Sequence, residues 1–512
     1  MPRGNDRMSA EATSPLPHAA PDHRRKPSWR LAHWWRSGSL TAAIAMAARA
    51  SSQLALLLVT LVATRSLSPA DFGVFAIAAA FLTLSRTMLY TGPFEYVLKA
   101  RAEDAPAVAS AGLAANGLVA LSWCIGLCLC GLAAPYLFRG SGVGMLLFAL
   151  APSNFLAAVA GWEEAMVLRG QAVRRYYAIT VATELFAALA AILLLVAGWG
   201  LWALVVQVYV RLAIFVLAYR VALVLPPLPA PTRAQTIAIL AWSRSRYASI
   251  FVGFLANYSG DLLLGAVFSP AASGLYRAGN RVVSALADMF VQPAGLLATT
   301  SLAAIRARGG DGTGTNAPWL RAAGLFGALC WPALAGLAVV SDWIAPLLLG
   351  PAWAGAGPII AVFCIARLAA LPIAVASAVL VVADRQDRVF WVQAAAALAT
   401  AGLTLLMAAS GPVAAGIATA GVAVGWAAAL AWEAWRVQPA SGAEARSVAW
   451  LVLLPSLVTP LAALCARAVL SSLPVSPFGA LAITVAAGAL AWLLALVVQG
   501  KALRAAVAAV GH

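Results

Sequence analysis

From Leu40 onward the chain is almost continuously apolar, interrupted only by short polar breaks. A helix needs roughly 20 apolar residues to cross the hydrocarbon core of a bilayer. Fourteen such spans are predicted, over residues 40–64, 72–92, 107–133, 143–168, 176–197, 200–223, 244–268, 274–300, 320–345, 355–383, 389–409, 413–435, 447–468 and 478–499. Spans five and six meet at Gly198-Trp199-Gly200, and spans eleven and twelve at Ser410-Gly411-Pro412. Turns this short make helical hairpins. The pattern predicts an all-α polytopic membrane protein.

Composition agrees. The 512 residues are 63% hydrophobic and 10% charged, whereas soluble domains are near 45–50% apolar and about 25% charged. Mean hydropathy is +0.89. The net charge of +16 is distributed unevenly. With the N-terminus placed in the cytoplasm, twenty-five basic residues fall on the inner side and only Arg65, Arg139 and Arg467 on the outer side. That asymmetry is the positive-inside signal, and it puts both termini in the cytoplasm. The positive charge is therefore mostly a topology signal, and nucleic acid is not an expected partner. No outer loop exceeds a dozen or so residues.

The chain also repeats itself. Ser68-Pro69-Ala70-Asp71-Phe72-Gly73-Val74-Phe75 joins spans one and two. Ser269-Pro270-Ala271-Ala272-Ser273-Gly274-Leu275-Tyr276 joins spans seven and eight, 201 residues later without a gap. Arg169-Gly170-Gln171 at the end of span four and Arg385-Gln386-Asp387-Arg388 at the end of span ten form a second pair. Both pairs are six spans apart, and six is even, so the halves are parallel repeats related by an axis along the membrane normal. Two six-helix lobes around a central cavity are expected, at residues 39–225 and 237–437. Two additional helices at 446–499, a disordered basic tail at 1–38 and a tail at 500–512 complete the expected organisation.

Little in the composition supports catalysis. His18, His23, His33 and His512 all lie in the tails, and the six cysteines lie in apolar segments without a CxxC pair. Neither a metal nor another cofactor is expected. The candidate chemistry is charge inside the membrane. Arg49, Arg86, Arg211, Arg277, Arg281 and Arg367 fall within spans, with Arg86 toward the inner leaflet and Arg277 one turn from the outer surface. Each costs at least about 2.5–3.5 kcal/mol on insertion, so each requires a partner or a polar cavity. Asp261, Asp288 and Glu184 are available as partners, and Asp261 suits either a coupling cation or an arginine. Glu163 and Glu164, near the inner end of span four, read as interfacial or helix-pairing groups. Arginines exceed the deep acids, so a positive cavity suited to phosphate remains.

One stretch gathers these features. In Ser269–Gln292, Arg277, Arg281 and Asp288 lie at i, i+4 and i+11 on one helix face, with Ser284 and Gln292 close to the same stripe. Pro152, Pro293, Pro332 and Pro372 fall inside spans, where they bend helices or act as hinges. Gly421 and Gly425 form a GxxxG pattern expected to pack closely.

The hairpins RSLSPADFGVFAIA and NYSGDLLLGAVFSPAASGLYRAGNRV, with LLLGPAWAGAG at 347–357, resemble the bacterial polysaccharide-transport (Wzx-like) oligosaccharide flippases. These belong to the multidrug/oligosaccharidyl-lipid/polysaccharide exporter superfamily. The resemblance covers residues 40–440; Asp261 matches an aspartate of the seventh helix, and Gly73 and Gly274 the glycine after each first loop. It implies an inner-membrane flippase of an undecaprenyl-diphosphate-linked oligosaccharide, in contact with membrane lipids and with polysaccharide polymerase and chain-length machinery. A cation-coupled multidrug exporter of the same superfamily and a membrane polysaccharide polymerase or ligase are the alternatives. The two helices beyond twelve occur in some relatives, such as lipid II flippases.

Overall fold

The computed structural model describes residues 51–100, 105–138, 142–170, 172–223, 228–307 and 318–500, with a few positions near 44–48 and 502–506. The basic tail at 1–38, most of the tail at 500–512 and Arg49 lie outside the described residues. The described elements are helices, with no strand among them. Ser51–Ser66 (α1) is followed by Pro69–Leu89 (α2), Gly92–Lys99 (α3), Ala105–Leu137 (α4), Val143–Leu150 (α5), Ser153–Arg169 (α6), Val173–Val196 (α7) and Leu201–Ala222 (α8). Arg233–Val267 (α9), Pro270–Ala307 (α10) and Pro318–Leu349 (α11) lead to a 3-10 turn at Pro351–Ala356. Gly357–Leu368 (α12), Ala370–Val382 (α13), Gln386–Ala408 (α14), Pro412–Val437 (α15), Gly442–Leu470 (α16) and Pro477–Val498 (α17) complete the chain.

Twelve of these helical stretches are long and apolar enough to cross a membrane, and α5 with α6 makes a thirteenth, bent by 44°. Helix α1 is the described part of the first span, so each of the fourteen expected segments has a helix. Three spans are broken where proline removes a backbone donor. Pro93 separates α2 from α3, Pro152 lies at the bend between α5 and α6, and Pro372 follows the break at Ala369. Pro293 and Pro332 sit inside the unbroken helices α10 and α11. Helix α9 starts at Arg233, capped by Thr232 and ahead of the boundary expected at 237, so Arg244 and Arg246 lie on a helix.

The repeated Ser-Pro-Ala strings are helix starts. The Ser68 hydroxyl accepts from the Asp71 amide at 3.1 Å, and the Ser269 hydroxyl from the Ala272 amide at 3.1 Å. Proline occupies the first helical position in both, where its missing N–H costs nothing. The glycine five residues after each serine then meets its counterpart. A Cβ on Gly73 would lie 1.8 Å from the Pro270 carbonyl oxygen, and one on Gly274 would lie 2.1 Å from the Pro69 carbonyl oxygen. The contact is reciprocal, as a twofold relation between α2 and α10 requires.

This crossing seals one end of the bundle, and neighbouring groups reinforce it. The Trp353 indole donates to the Thr64 carbonyl at 2.6 Å and meets the Phe72 ring edge-on at 5.4 Å. Arg65 donates to the Leu347 carbonyl at 2.8 Å. One apolar core surrounds the seal and draws on α1, α7, α8, α10, α11, α12 and α15. Away from the seal the cores divide, one within α2–α8 and another among α10, α11, α13 and α15. The last two helices stand outside this arrangement: α16 packs on α11 and α17, with Val448 and Val452 against Gly324 and Gly327.

Gly421 and Gly425 correct an expectation. Both are exposed, and nothing lies within 4 Å of a Cβ built on either. The close approach that the GxxxG pattern suggested is made at Gly73 and Gly274.

Gly73→Val therefore forces the two helix starts apart. A cysteine at the buried position of Ala76 should be protected from a membrane-impermeant thiol reagent in the parent and react in the Gly73→Val variant. Equal protection in both would show that the crossing does not form the seal.

Candidate functional site

Beyond the seal, α2, α9, α10 and α12 diverge and enclose a cavity of about 450 Å³. Its α10 wall carries Arg277, Asn280, Arg281, Ser284 and Asp288, the polar stripe of that helix. Arg281 stands seven residues past Gly274 and Asp288 fourteen, roughly 10 and 21 Å along the axis. The α2 wall contributes Thr83 and Thr87, and α9 contributes Phe254, Asn257 and Tyr258. Arg367 enters from the last turn of α12. Pro372 cannot donate to the Leu368 carbonyl, and α12 ends at Leu368, one residue after Arg367.

The three arginines differ in their partners. Arg277 donates to Asp261 at 2.9 Å and stacks over the Tyr258 ring at 4.7 Å. Asp261 is 1% exposed, and a lone carboxylate at that depth is prohibitive without its partner. Of the two roles open to Asp261, the geometry here is arginine pairing. Arg281 donates to the Gln53 side chain at 3.3 Å, and its Nε is buried without a partner among the described residues. Arg367 donates to the Asn280 side chain at 3.1 Å. Asp288 lies within electrostatic reach of both Arg281 and Arg367. The described part of the site therefore has three guanidinium groups against two carboxylates.

The other candidates lie elsewhere. Arg86 and Arg211 sit inside the α2–α8 half, neither lining the cavity. Arg211 pairs with Glu184 at 2.5 Å and lies over the Phe215 ring at 5.8 Å. Gln292 is on the α10 stripe but does not line the cavity, and its Oε1 is buried without a partner among the described residues. The wall formed by α2 carries no charge that marks it in the sequence. Thr83 and Thr87 bond to their own helix, at 2.7 Å to Ala79 and 2.8 Å to Thr83, so they look like ordinary helical threonines. Their i, i+4 spacing was the available signal, as it was for Phe254 and Tyr258, whose rings stack at 5.2 Å.

At the end of α9 remote from the seal, contacts join it to α3. Arg246 binds Glu95 through two hydrogen bonds of 2.7 and 2.9 Å. The Lys99 ammonium lies 3.9 Å from the Trp242 ring centre. A Cβ on Gly92 would fall 2.6 Å from Ser243, so the helices touch backbone to side chain.

The arrangement defines a class before it defines a family. The fold is similar to a lipid II flippase, MurJ, in an inward closed conformation, with a TM-score of 0.74 at 12% identity over 91% of this chain and 99% of that one. It is also similar to an inward-facing multidrug resistance MATE transporter of the MOP superfamily, with a TM-score of 0.62 at 12% identity over 75% of this chain and 94% of that one. The chain thus has the fold of MOP-type transporters and flippases. No curated protein matches it in sequence. The profile of the polysaccharide biosynthesis protein family matches residues 61–358, more than half the chain, and the protein belongs to that family. The match takes in both Ser-Pro-Ala hairpins on which the flippase-family resemblance rests.

Breaking the Arg277–Asp261 pair leaves a charge stranded in a low-dielectric site. Asp261→Asn is expected to destabilise the protein by about 3–5 kcal/mol, seen as a lower unfolding temperature in detergent. Adding Arg277→Gln should recover part of the loss. A double variant no better than the single one would refute the pairing.

Proposed function

We propose that the protein flips an undecaprenyl-diphosphate-linked oligosaccharide across the bacterial inner membrane, during assembly of an exopolysaccharide, O-antigen or capsule. The observation that carries this reading is the cavity lined by Arg277, Arg281 and Arg367, of which Arg277 alone has an ion pair among the described residues. A guanidinium fork matches phosphate oxygens, and its charge persists at any physiological pH. Arg281 and Arg367 hold the diphosphate, while Arg277 positions the helix through Asp261. The lipid tail stays in the bilayer.

In this reading both termini are cytoplasmic and the Gly73–Gly274 seal faces outward. Cargo enters the cavity from the cytoplasmic leaflet, between an N-terminal lobe at 39–225 and a C-terminal lobe at 237–437. Separation of α2 from α10 then opens the opposite side. Arg86 and Arg211 act behind the cavity wall, and Arg49, outside the described residues, is assigned to the cavity by its depth in the first expected span. A polymerase and chain-length machinery receive the product.

Asp288 on the same wall supports a second reading, a cation-coupled multidrug exporter, because a carboxylate suits a cationic drug. The two separate by experiment. Arg281→Ala with Arg367→Ala should abolish surface polysaccharide while folded protein persists in the membrane, and lipid-linked repeat units should accumulate. Normal polysaccharide in that double variant would sink the flippase reading. A deletion strain that is drug-sensitive but makes normal polysaccharide would establish the exporter.

A further inference from the structure

Helices α1 and α7 share an apolar core toward one end and part toward the other. Ala55, Val59 and Ala63 of α1 join one core with Ala188, Ala191 and Leu195 of α7. Earlier in both helices a groove of about 880 Å³ lies between them, about twice the volume of the arginine-lined cavity. On α7 it runs from Arg174 to Leu189, roughly 22 Å of helix. On α1 the described lining is Ile44, Ala47, Ala48 and Ser51.

The groove is apolar along its length and charged at one end. Val181, Ala182, Leu185 and Phe186 line its α7 wall, and the last three are exposed. The Ser51 hydroxyl donates to the Ala48 carbonyl of its own helix at 2.9 Å, so its one proton is committed. Arg174 and Tyr177 line the other end, in the first turns of α7, and their i, i+3 spacing puts them on one face. No carboxylate lines the groove among the described residues. The neighbouring Arg175 turns away and donates to the Ala222 carbonyl at 2.9 Å. The mouth of the groove therefore carries one positive charge, on the exposed Arg174.

We propose that this groove binds a glycerophospholipid with a net negative headgroup, its phosphate on Arg174 and Tyr177 and an acyl chain along α7. The hydrocarbon of one leaflet is half of a core of roughly 30 Å, so about 15 Å deep. The apolar part of the groove has room for that length, with the cationic mouth at headgroup level. An empty groove of this size would forfeit dispersion contacts along both helices, and a chain restores them. At the mouth a guanidinium matches phosphate oxygens, and a tyrosine suits the interface, with its ring in hydrocarbon and its hydroxyl among headgroups. A basic pocket between transmembrane helices is a recurrent seat for anionic headgroups. One guanidinium suits a single phosphate diester, whereas a diphosphate finds two in the cavity, at Arg281 and Arg367. With both termini cytoplasmic, as in the reading above, the headgroup belongs to the cytoplasmic leaflet. The lipid site itself does not depend on what the cavity carries. Its chain fills the space beside α1, the helix that presents Gln53 to Arg281.

Native mass spectrometry of the detergent-purified protein tests the site. Phosphatidylglycerol should bind in preference to phosphatidylcholine. Arg174→Gln should weaken phosphatidylglycerol binding about five-fold, and Arg175→Gln should leave it unchanged. Ala182→Trp, at an exposed position in the groove, should remove binding while the lipid-free protein keeps its unfolding temperature. Equal affinity for the two lipids, or equal loss in Arg174→Gln and Arg175→Gln, overturns the headgroup assignment. Phosphatidylglycerol binding that survives Ala182→Trp overturns the groove. A third arm uses the variant with Arg281→Ala and Arg367→Ala, in which the cavity has lost two of its guanidinium groups. Farnesyl diphosphate should not displace phosphatidylglycerol from it. Displacement there would make the groove a seat for an isoprenoid cargo and overturn the phospholipid assignment.

Discussion

Everything in this molecule hangs from the point where α2 and α10 cross. Two helix starts approach until the carbonyl of Pro69 and that of Pro270 each occupy the space of the other repeat's missing Cβ. Van der Waals repulsion is steep, so no side chain larger than hydrogen is compatible with that approach. The crossing joins two separately cored halves at one end and lets them diverge at the other. The cavity exists because the halves meet at an end and not along their length. A contact of this kind also lends itself to reversal, since it depends on shape and not on an interlocking charge network.

The second constraint is the cost of charge in a low-dielectric medium. It explains how the arginines divide. Arg277 and Arg211 have carboxylates at bonding distance and tie helices together. Arg281 and Arg367 are held by the neutral side chains of Gln53 and Asn280, which orient a guanidinium without cancelling its charge. Neither of those two has an ion pair among the described residues. Arg277, with an ion pair, and Arg281, with none among the described residues, sit on one face of α10, one turn apart, so position alone does not distinguish them.

The hydropathy pattern was enough to read an all-helical, fourteen-segment membrane protein, because a bilayer imposes length and polarity on every crossing. The Ser-Pro-Ala repeat was equally legible, because capping is local chemistry and a serine with a proline after it starts a helix anywhere. The α10 stripe followed from helical periodicity, and its Arg277, Arg281 and Asp288 do share one cavity wall.

Pairing between distant segments followed no local rule. The mutual fit of Gly73 and Gly274, the commitment of Asp261 to Arg277, and the absence of Arg86 and Arg211 from the cavity lining all required the folded chain. So did the exposure of Gly421 and Gly425, whose spacing suggested close packing. The physical reason is the same in each case. Helix formation and membrane insertion depend on a residue and its near neighbours in sequence, whereas the energy of a buried charge or a missing side chain depends on what arrives from across the bundle.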